Sequence, residues 1–517
     1  MAGQYAARVI LDNGVIRSLD PSLPTAGALA IAGPLIAGGV GTHEWALPTP
    51  DRVDLGGRCV MPAFTDSHVH FPTWSLARQD VRLEGADSVA AALALVSAHP
   101  HRGDIWIRGT GWRDAAWPDQ PTAAALDTVT GSKPAALWSK DYHSLWLNSA
   151  GLARANGALA VSGGVVERDS AGSPTGILRE ESAWRFRERF VTISEDEWVD
   201  ATREGIRVAN SRGVAAIHDK DGWLGAASIF GRIHEHEGLT LRVWQSLPAD
   251  RLPEIAALPL RARTGDDFLR LGYVKLFMDG TLGSQTALML DGSGVEITTR
   301  EGLEDVIRAA AAAGWPVAVH AIGDRANRNA LDAFEATLDA WRPLGLRHRI
   351  EHTQCLDPTD IPRFAQLGVA CSVQFTHAPS DRDLAERFWG ERLAGAYAFK
   401  SLLDSGAIVV NGSDAPVEEL DPLAGIRAGV RRTIDSRPAW QPQEMMTVDQ
   451  AIRASTVAPA WLAGDERRRG RLLPGFLADL VVLSRDPFTC PPDELDSVEV
   501  VSTMVGGRWV WQPPPWN

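Results

Sequence analysis

Eight short apolar runs with the composition of β-strands recur between residues 61 and 414, and stretches with helical periodicity separate them. The runs cover residues 64–70, 214–219, 241–247, 273–279, 317–322, 349–353, 370–375 and 408–414. One intervening helix is predicted over 303–313, where apolar residues follow the helical period up to Gly314. Strands that alternate with helices are typical of a parallel sheet, so eight such units predict an α/β fold, a (β/α)8 TIM barrel.

The spacing of these runs also predicts additional domains. About 140 residues separate the first run from the second, far more than a strand-to-strand crossover needs. We therefore expect a barrel over residues 61–469 and an inserted subdomain over 104–190 that covers the barrel mouth. Residues 1–60 and 470–517 contain further strand-like runs. We expect them to pair into one composite β-sandwich domain.

Composition narrows the class of partner. Among 517 residues, 65 acidic side chains outnumber 51 basic ones, and the net charge of −14 argues against a nucleic-acid or anionic-membrane partner. No secretory leader and no apolar run of about 20 residues is visible. The four cysteines lie far apart, which fits a reducing compartment. We expect a cytoplasmic protein with a small-molecule substrate, and a homodimer is compatible with these features.

The first barrel run ends in two histidines, His68 and His70. Alternate residues of a strand share one face, so both imidazoles can reach one metal ion. The same spacing at His234 and His236 follows a helix-like stretch, where it places the two side chains on opposite faces. We therefore expect His68 and His70 to be metal ligands and the second pair to lie on the surface.

Three further barrel runs end in residues that can bind a metal, namely His320, His352 and Asp414. The carboxyl ends of barrel strands meet at one face, where active sites of this fold are built. Lys275 lies in the middle of a fourth apolar run. Because a buried ammonium is costly, this lysine must pair with an acid such as Asp279, lose its proton or be modified.

These residues resemble the ligand pattern of the amidohydrolase superfamily. Neighbouring motifs resemble its YtcJ-like branch, which contains N-substituted formamide deformylase; they include Asp141-Tyr-His143, Gly163-Gly164, Pro174-Thr-Gly176, Lys275-Leu-Phe-Met-Asp279-Gly280, Gly283-Ser284, His320-Ala-Ile-Gly323-Asp324 and Leu473-Pro-Gly475. The resemblance covers nearly the whole chain and implies a metal-dependent hydrolase of carbon–nitrogen bonds other than peptide bonds. It implies that His68, His70, Lys275, His320, His352 and Asp414 hold one or two divalent ions.

Zinc is the expected metal, although manganese or iron would also suit such ligands. In the implied mechanism Asp414 transfers the proton of an activated water, and His320 and His352 bind a second ion or polarise the substrate carbonyl. A carbamylated Lys275 would bridge two ions. The sequence departs from the branch at Gln285 and at Lys220, both near the expected pocket.

The substrate is the least constrained feature. Five tryptophans fall between residues 106 and 146, and they pack either in the core of the insert or against a ligand. Candidate substrate contacts are Trp112, His143, His377 and Asp279. No Arg or Lys lies in a motif that would bind a carboxylate, so we rank a small neutral amide, such as an N-substituted formamide, above an N-acyl amino acid.

Other reactions and classes of protein stay open. A lactone or carbamate would suit the same site, and an isomerase or lyase barrel or a non-catalytic binder is a further alternative. No G-x-S-x-G nucleophile motif and no phosphate-binding loop occurs in the sequence.

Overall fold

The computed structural model describes residues 8–37, 51–99, 105–113, 117–221, 223 and 225–516. Parts of the predicted terminal domain and of the predicted insert lie outside these described residues. Within the described ranges, no helix combines the length and apolar character that crossing a membrane requires.

Seven short strands form the described N-terminal part of the chain. Their bounds are β1 (Arg8–Asp12), β2 (Val15–Arg17), β3 (Thr25–Ala26), β4 (Leu29–Ala32), β5 (Leu35–Ile36), β6 (Asp51–Asp54) and β7 (Cys59–Pro62). Four of them make a sheet in the order β5-β4-β1-β6. The inward side chains of this sheet, such as Leu11 and Ile31, are fully buried.

The chain then enters the barrel and leaves it again for an insert. The first barrel strand is β8 (Phe64–Val69), followed by α1 (Phe71–Ala77). The insert comprises β9 (Val81–Arg82), α2 (Val89–Ala98), β10 (Ile107–Trp112), α3 (Ala123–Thr130), β11 (Ala135–Ser139), β12 (Ser144–Leu147), α4 (Ser149–Arg154), β13 (Gly164–Arg168), β14 (Pro174–Glu180) and α5 (Glu181–Phe190). Its sheet has the order β13-β14-β12-β11-β10-β9, so it begins at Val81, before the predicted 104–190 segment. The two-residue β9 is too short to leave a strand pattern in the sequence.

The chain returns to the barrel through α6 (Glu195–Ser211). The remaining barrel elements are β15 (Val214–Asp219), α7 (Gly225–His236), β16 (Arg242–Pro248), α8 (Leu252–Ala257), β17 (Leu269–Phe277), α9 (Arg300–Ala312), β18 (Val317–Ala321), α10 (Asp324–Ala336), α11 (Leu338–Trp341), β19 (Arg349–His352), α12 (Ile361–Leu367), β20 (Ala370–Val373), α13 (His377–Ser380), α14 (Arg382–Phe388), α15 (Phe399–Asp404) and β21 (Val409–Asn411). The predicted helix 303–313 is α9, which begins one turn earlier because the Thr299 side chain caps it.

The eight barrel strands form one parallel sheet in the order β21-β20-β19-β18-β17-β16-β15-β8. The two ends of this sheet meet just beyond β21, where the Asp414 amide donates to the His68 carbonyl at 2.7 Å and the His70 amide donates to the Ala415 carbonyl at 2.8 Å. All eight predicted strands therefore occur in the predicted order, and the predicted α/β barrel is confirmed.

The C-terminal part of the chain packs against both the barrel and the N-terminal strands. It contains α16 (Pro422–Arg431), α17 (Val448–Ala454), α18 (Val457–Leu462), β22 (Leu480–Leu483), β23 (Val500–Val505) and β24 (Arg508–Trp511). Strand β22 pairs antiparallel with β7, which joins the two termini in one sheet of order β24-β23-β22-β7-β2-β3. This sheet and the four-stranded sheet share one apolar core, with Leu11 and Ile31 from one and Val60 and Val482 from the other.

Candidate metal centre at the carboxyl end of the barrel

A buried carboxylate lies at the centre of the strand ends. Asp414 follows β21, and its Oδ1 lies 3.2 Å from Nε2 of His68 and 3.7 Å from Nε2 of His70. Its Oδ2 lies 3.7 Å from Nδ1 of His352 and 3.9 Å from Nε2 of His377. Ligand atoms of His68, His352 and Asp414 lie within 4.8 Å of one another, close enough for a single ion to bind all three.

The backbone at two of these positions is strained. His352 has φ = 72° and Asp414 has φ = 59°, in the left-handed region that residues other than glycine seldom adopt. Each such residue costs of order 1 to 3 kcal/mol. His352 is the last residue of β19 and Asp414 lies three residues beyond β21, and the side chains of both face the cluster.

Second carboxylates fix the orientation of His68 in β8 and of His70, which directly follows β8. His68 Nδ1 lies 2.7 Å from Oε2 of Glu351, and both side chains are fully buried. His70 Nδ1 lies 3.3 Å from Oδ1 of Asp221. A carboxylate next to Nδ1 holds the proton on that nitrogen, so each Nε2 presents its lone pair to the Asp414 cluster.

Glu351 in turn belongs to a buried network of charges. Arg349 lies 2.6 Å from its Oε1 and 2.8 Å from its Oε2, and the Lys220 ammonium lies 3.6 Å from Oε1. Burial alone would raise the pKa of Glu351, but Arg349, Lys220 and His68 together hold it well below its usual range. Glu351 therefore stays an anion and holds His68 in one tautomer.

His320 and His352 stack against each other, with ring centroids 4.5 Å apart. His352 Nδ1 donates to the Gln374 side-chain oxygen at 3.0 Å, and His320 Nε2 donates to the Gly280 carbonyl at 3.1 Å. Burial lowers the pKa of both imidazoles well below the usual value, so each stays neutral and keeps one ring nitrogen with a free lone pair.

Lys275 reaches the same space from β17. Its ammonium lies 3.7 Å above the Phe277 ring centroid and 3.5 Å from the Leu276 carbonyl. Burial lowers its pKa to about 8, although Glu351 and Asp414 oppose this shift. The structure shows no ion pair between the side chains of Lys275 and Asp279. Lys275 is therefore a buried amine beside the cluster.

The four candidate substrate contacts occupy different environments. His143 and His377 line a cavity of about 790 Å³ above the cluster. Trp112 also reaches this cavity, but it packs in the insert core against Trp117 and Trp146. Asp279 is fully buried and accepts three backbone N–H groups, from residues 288, 322 and 323. It therefore holds two barrel loops together, and burial raises its pKa to about 7.

The two departures from the branch pattern are placed differently. Lys220 is fully buried, lines the cavity and donates to the Ser246 hydroxyl at 3.2 Å. Burial and then Arg349 lower its pKa to about 7. Gln285 is exposed, in a turn with φ = 57°, and does not line the cavity.

Several residues of the site were missed by the sequence analysis. Glu351 and Arg349 alternate along a buried strand, a signal of the same kind that marked Lys275. Asp221 and Glu180 left no such signal. Glu180 is fully buried, lies 2.5 Å from Nδ1 of His143 and accepts the Thr286 hydroxyl. It fixes His143 at the cavity wall as Glu351 fixes His68.

The cluster fits a divalent metal ion. His68 Nε2 is buried and has no hydrogen-bond partner among the described residues, and it faces a carboxylate and further imidazoles. Imidazole nitrogens and a carboxylate oxygen are the ligands that zinc and similar ions prefer, and carboxylates that orient such histidines are a regular feature of metal sites.

Several known proteins are similar to this chain in sequence over nearly its whole length. The chain is 31% identical to Protein LONG AFTER FAR-RED 3 of Arabidopsis thaliana, over 98% of this chain and 92% of that one. It is 29% identical to the putative amidohydrolase YtcJ of Bacillus subtilis, over 92% and 94%. It is 26% identical to N-substituted formamide deformylase of Arthrobacter pascens, over 96% and 97%.

A solved structure is also similar to this chain in fold. An uncharacterized metal-dependent hydrolase from Pyrococcus horikoshii superposes with a TM-score of 0.79 at 28% identity, and the match covers 94% of this chain and 99% of that one. The profile of the amidohydrolase family matches residues 51–511. The resemblance predicted from the strand-end motifs is thus confirmed, and this chain belongs to the amidohydrolase family.

Proposed function

We propose that this chain hydrolyses an amide-type carbon–nitrogen bond of a small molecule by a metal-activated water. The observation that carries the proposal is the convergence of His68, His352 and Asp414, together with the unpartnered Nε2 of His68. A divalent ion bound there would lower the pKa of a coordinated water from about 15.7 toward 7 and so supply a nucleophile at neutral pH. The deformylase among its relatives supports attack on an amide.

The residues of the chain supply the remaining steps. Although burial would raise the pKa of Asp414, His68 and His352 hold it below the usual value, so its carboxylate is ready to accept the proton of the water. As the carbon–nitrogen bond breaks, Asp414 returns this proton to the leaving nitrogen. His320 lines the cavity and donates its N–H to the Gly280 carbonyl, so the lone pair of its other ring nitrogen would serve as a ligand for a second ion.

We further propose that the resident metal is zinc and that Lys275 carries a carbamate when two ions are bound. A carbamate would replace a buried cation by an anionic ligand. The negative charges of this carbamate and of the nearby Glu351 and Asp414 would then be balanced by the two divalent ions. Four cysteines that are buried and unpaired support a cytoplasmic location.

Metal analysis together with amine release tests the proposed reaction. We expect one or two transition-metal ions per chain, loss of turnover on chelation and partial recovery with zinc. An active preparation with less than about 0.2 ion per chain would contradict the metal. Release of one amine per amide consumed would distinguish hydrolysis from an isomerase or lyase reaction, and a panel of lactones and carbamates would test the alternative substrates.

A further inference from the structure

The cavity above the metal cluster is larger than a simple formamide needs. It has a volume of about 790 Å³, and cavities of 300 to 1,000 Å³ enclose ligands of drug size. Its wall extends past His70 and Asp221 to Trp223 and to Arg187 on α5. A substrate that fills it can therefore place a second polar group some distance from the scissile bond.

Arg187 is a half-buried arginine in this wall. Its guanidinium carbon lies 4.9 Å above the Trp198 ring centroid, and Trp198 packs on Trp223 at 5.2 Å. Stacking on tryptophan fixes the plane of the guanidinium but leaves its N–H groups available. No carboxylate oxygen of the described residues lies within 4.0 Å of it, and burial lowers its pKa.

The other arginines of the cavity wall each have an acidic partner. These pairs are Arg113 with Asp381 at 3.4 Å, Arg179 with Glu167 at 2.6 Å, Arg185 with Glu181 at 3.0 Å and Arg251 with Glu254 at 2.9 Å. Their charges are therefore compensated within the protein. Among the described residues, Arg187 differs from them in that an aromatic ring, and no acidic side chain, lies against its guanidinium.

The acid whose charge acts most strongly on Arg187 is already engaged. Asp221 accepts the backbone N–H and the hydroxyl of Thr73, both at 2.9 Å, and lies 3.3 Å from His70. It cannot turn toward Arg187 without leaving these donors unpaired. A guanidinium partly removed from water without a counter-ion is costly, and an incoming anion would remove that cost.

We propose that Arg187 binds a carboxylate of the substrate while the amide group lies at the Asp414 cluster. The guanidinium fork matches a carboxylate with two parallel hydrogen bonds. The inference rests on the proposed amide hydrolysis and reverses the preference for a neutral substrate, which depended on the absence of a motif arginine. An N-substituted formamide whose substituent carries a carboxylate satisfies both parts of the site.

A matched pair of substrates tests the proposal, namely N-formyl-phenylalanine and N-formyl-phenylalaninamide. They share the formyl group and the aromatic side chain and differ in charge. We expect the wild-type enzyme to show a KM at least about 10-fold lower for the acid. Arg187→Gln should raise the KM for the acid by roughly 10- to 100-fold and change kcat/KM for the carboxamide by less than about 2-fold.

Arg251→Gln is the matched control, because Arg251 also lines the cavity but pairs with Glu254. This variant should have the same KM and kcat/KM as the wild-type enzyme for both substrates. A wild-type preference for the carboxamide, or an equal effect of Arg187→Gln on both substrates, would overturn the proposal.

Calorimetric binding separates failure of this inference from failure of the proposed reaction. If neither compound is hydrolysed by metal-loaded enzyme, the proposed formamide hydrolysis fails, and binding of N-formyl-phenylalanine then decides the role of Arg187. Binding that is at least about 10-fold weaker to Arg187→Gln than to wild type supports the anion site. Equal or undetectable binding to both proteins refutes it.

Discussion

Replacing Glu351 by glutamine should separate the orientation of a metal ligand from the stability of the barrel. The carboxylate lies 2.7 Å from His68 Nδ1, and all the side chains involved are fully buried. Glutamine keeps the size but offers either an amide oxygen or an NH₂ group to His68, so the imidazole no longer has one imposed tautomer. Loss of such a partner costs about 10- to 100-fold in metal affinity.

The same substitution removes the anion that compensates Arg349. This guanidinium keeps its hydrogen bonds to the Ser67 carbonyl and the Ser372 hydroxyl, but its charge and that of Lys220 would remain buried without a partner. Breaking a buried ion pair from one side costs about 3 to 5 kcal/mol. We therefore expect Glu351→Gln to lower both the metal affinity and the free energy of unfolding of the metal-free protein.

Chelator competition measures the first effect and urea unfolding of the metal-free protein measures the second. The matched control is Asp479→Asn, which breaks the buried Arg242–Asp479 pair (2.7 Å) away from the cavity. It should lose comparable stability with unchanged metal affinity. If Glu351→Gln behaves like this control, Glu351 is only the counter-ion of Arg349, and the tautomer argument is refuted.

Three further outcomes are expected. Asp414→Asn should keep its fold and its metal but lose about 100-fold or more in kcat. The control is His236→Ala, which changes an exposed residue of α7 and should have wild-type kcat. Equal effects of the two substitutions would refute the use of strand register to rank histidines. Lys275→Ala should lower kcat strongly and reduce the bound metal measured by elemental analysis, and wild-type values would assign Lys275 a structural role. Burial lowers the pKa of His348 from 6.5 to about 3, so the unfolded chain takes up a proton that the native chain does not. Its contribution to stability is complete above pH 6.5 and declines by about 1.4 kcal/mol per pH unit toward pH 3. The free energy of unfolding of His348→Gln, measured with urea at several pH values, should therefore fall less steeply than that of wild type as the pH is lowered.

The strand-end residues could be predicted from the sequence because the carboxyl ends of all strands of a parallel barrel lie at the same face of the fold. Each apolar run that ends in histidine or aspartate places that residue at the carboxyl face, whatever the loops do. His68, His352 and Asp414 therefore come together although 284 and 62 residues separate successive members along the chain. The register of the parallel strands brings these positions to one face, and the left-handed backbone at His352 and Asp414 completes the placement of their side chains.

The partners of these residues could not be predicted in the same way. Asp221 lies two residues beyond β15, and its contact with His70 depends on how the loop after that strand folds back. Glu180 and Arg187 both come from the insert, at the end of β14 and in α5, and only the docking of the insert brings them to the cavity. Such contacts depend on tertiary packing rather than on a local sequence period.

The insert also shows why aromatic content alone does not predict a ligand pocket. Trp112, Trp117 and Trp146 pack against one another with ring centroids 6.2 to 6.3 Å apart, and the indole N–H groups of Trp112, Trp117 and Trp146 each donate to a backbone carbonyl. Trp138 stacks on Tyr142 and lines the cavity instead. Large indoles fill a small core first, and those that remain at its edge are available to a substrate.

The balance of charge inside the barrel limits how the site can accept a metal ion. Arg349, Lys220 and Lys275 contribute three buried cations when protonated, whereas Glu351 and Asp414 contribute two anions. Adding a divalent ion would leave these five groups with a net charge of about +3, only part of which the buried Asp221 beside His70 offsets, and a low-dielectric environment disfavours such an excess. The pKa values of the two lysines, lowered to about 7 and about 8, mean that both can lose their protons near neutral pH. Deprotonation of both would reduce the excess of these groups to about +1 with one ion bound, and the proposed carbamate on Lys275 would offset one of the two further charges that a second ion brings. The presence of two buried lysines beside one cluster is thus explained if the loss of their protons compensates for the positive charge that the metal ion brings.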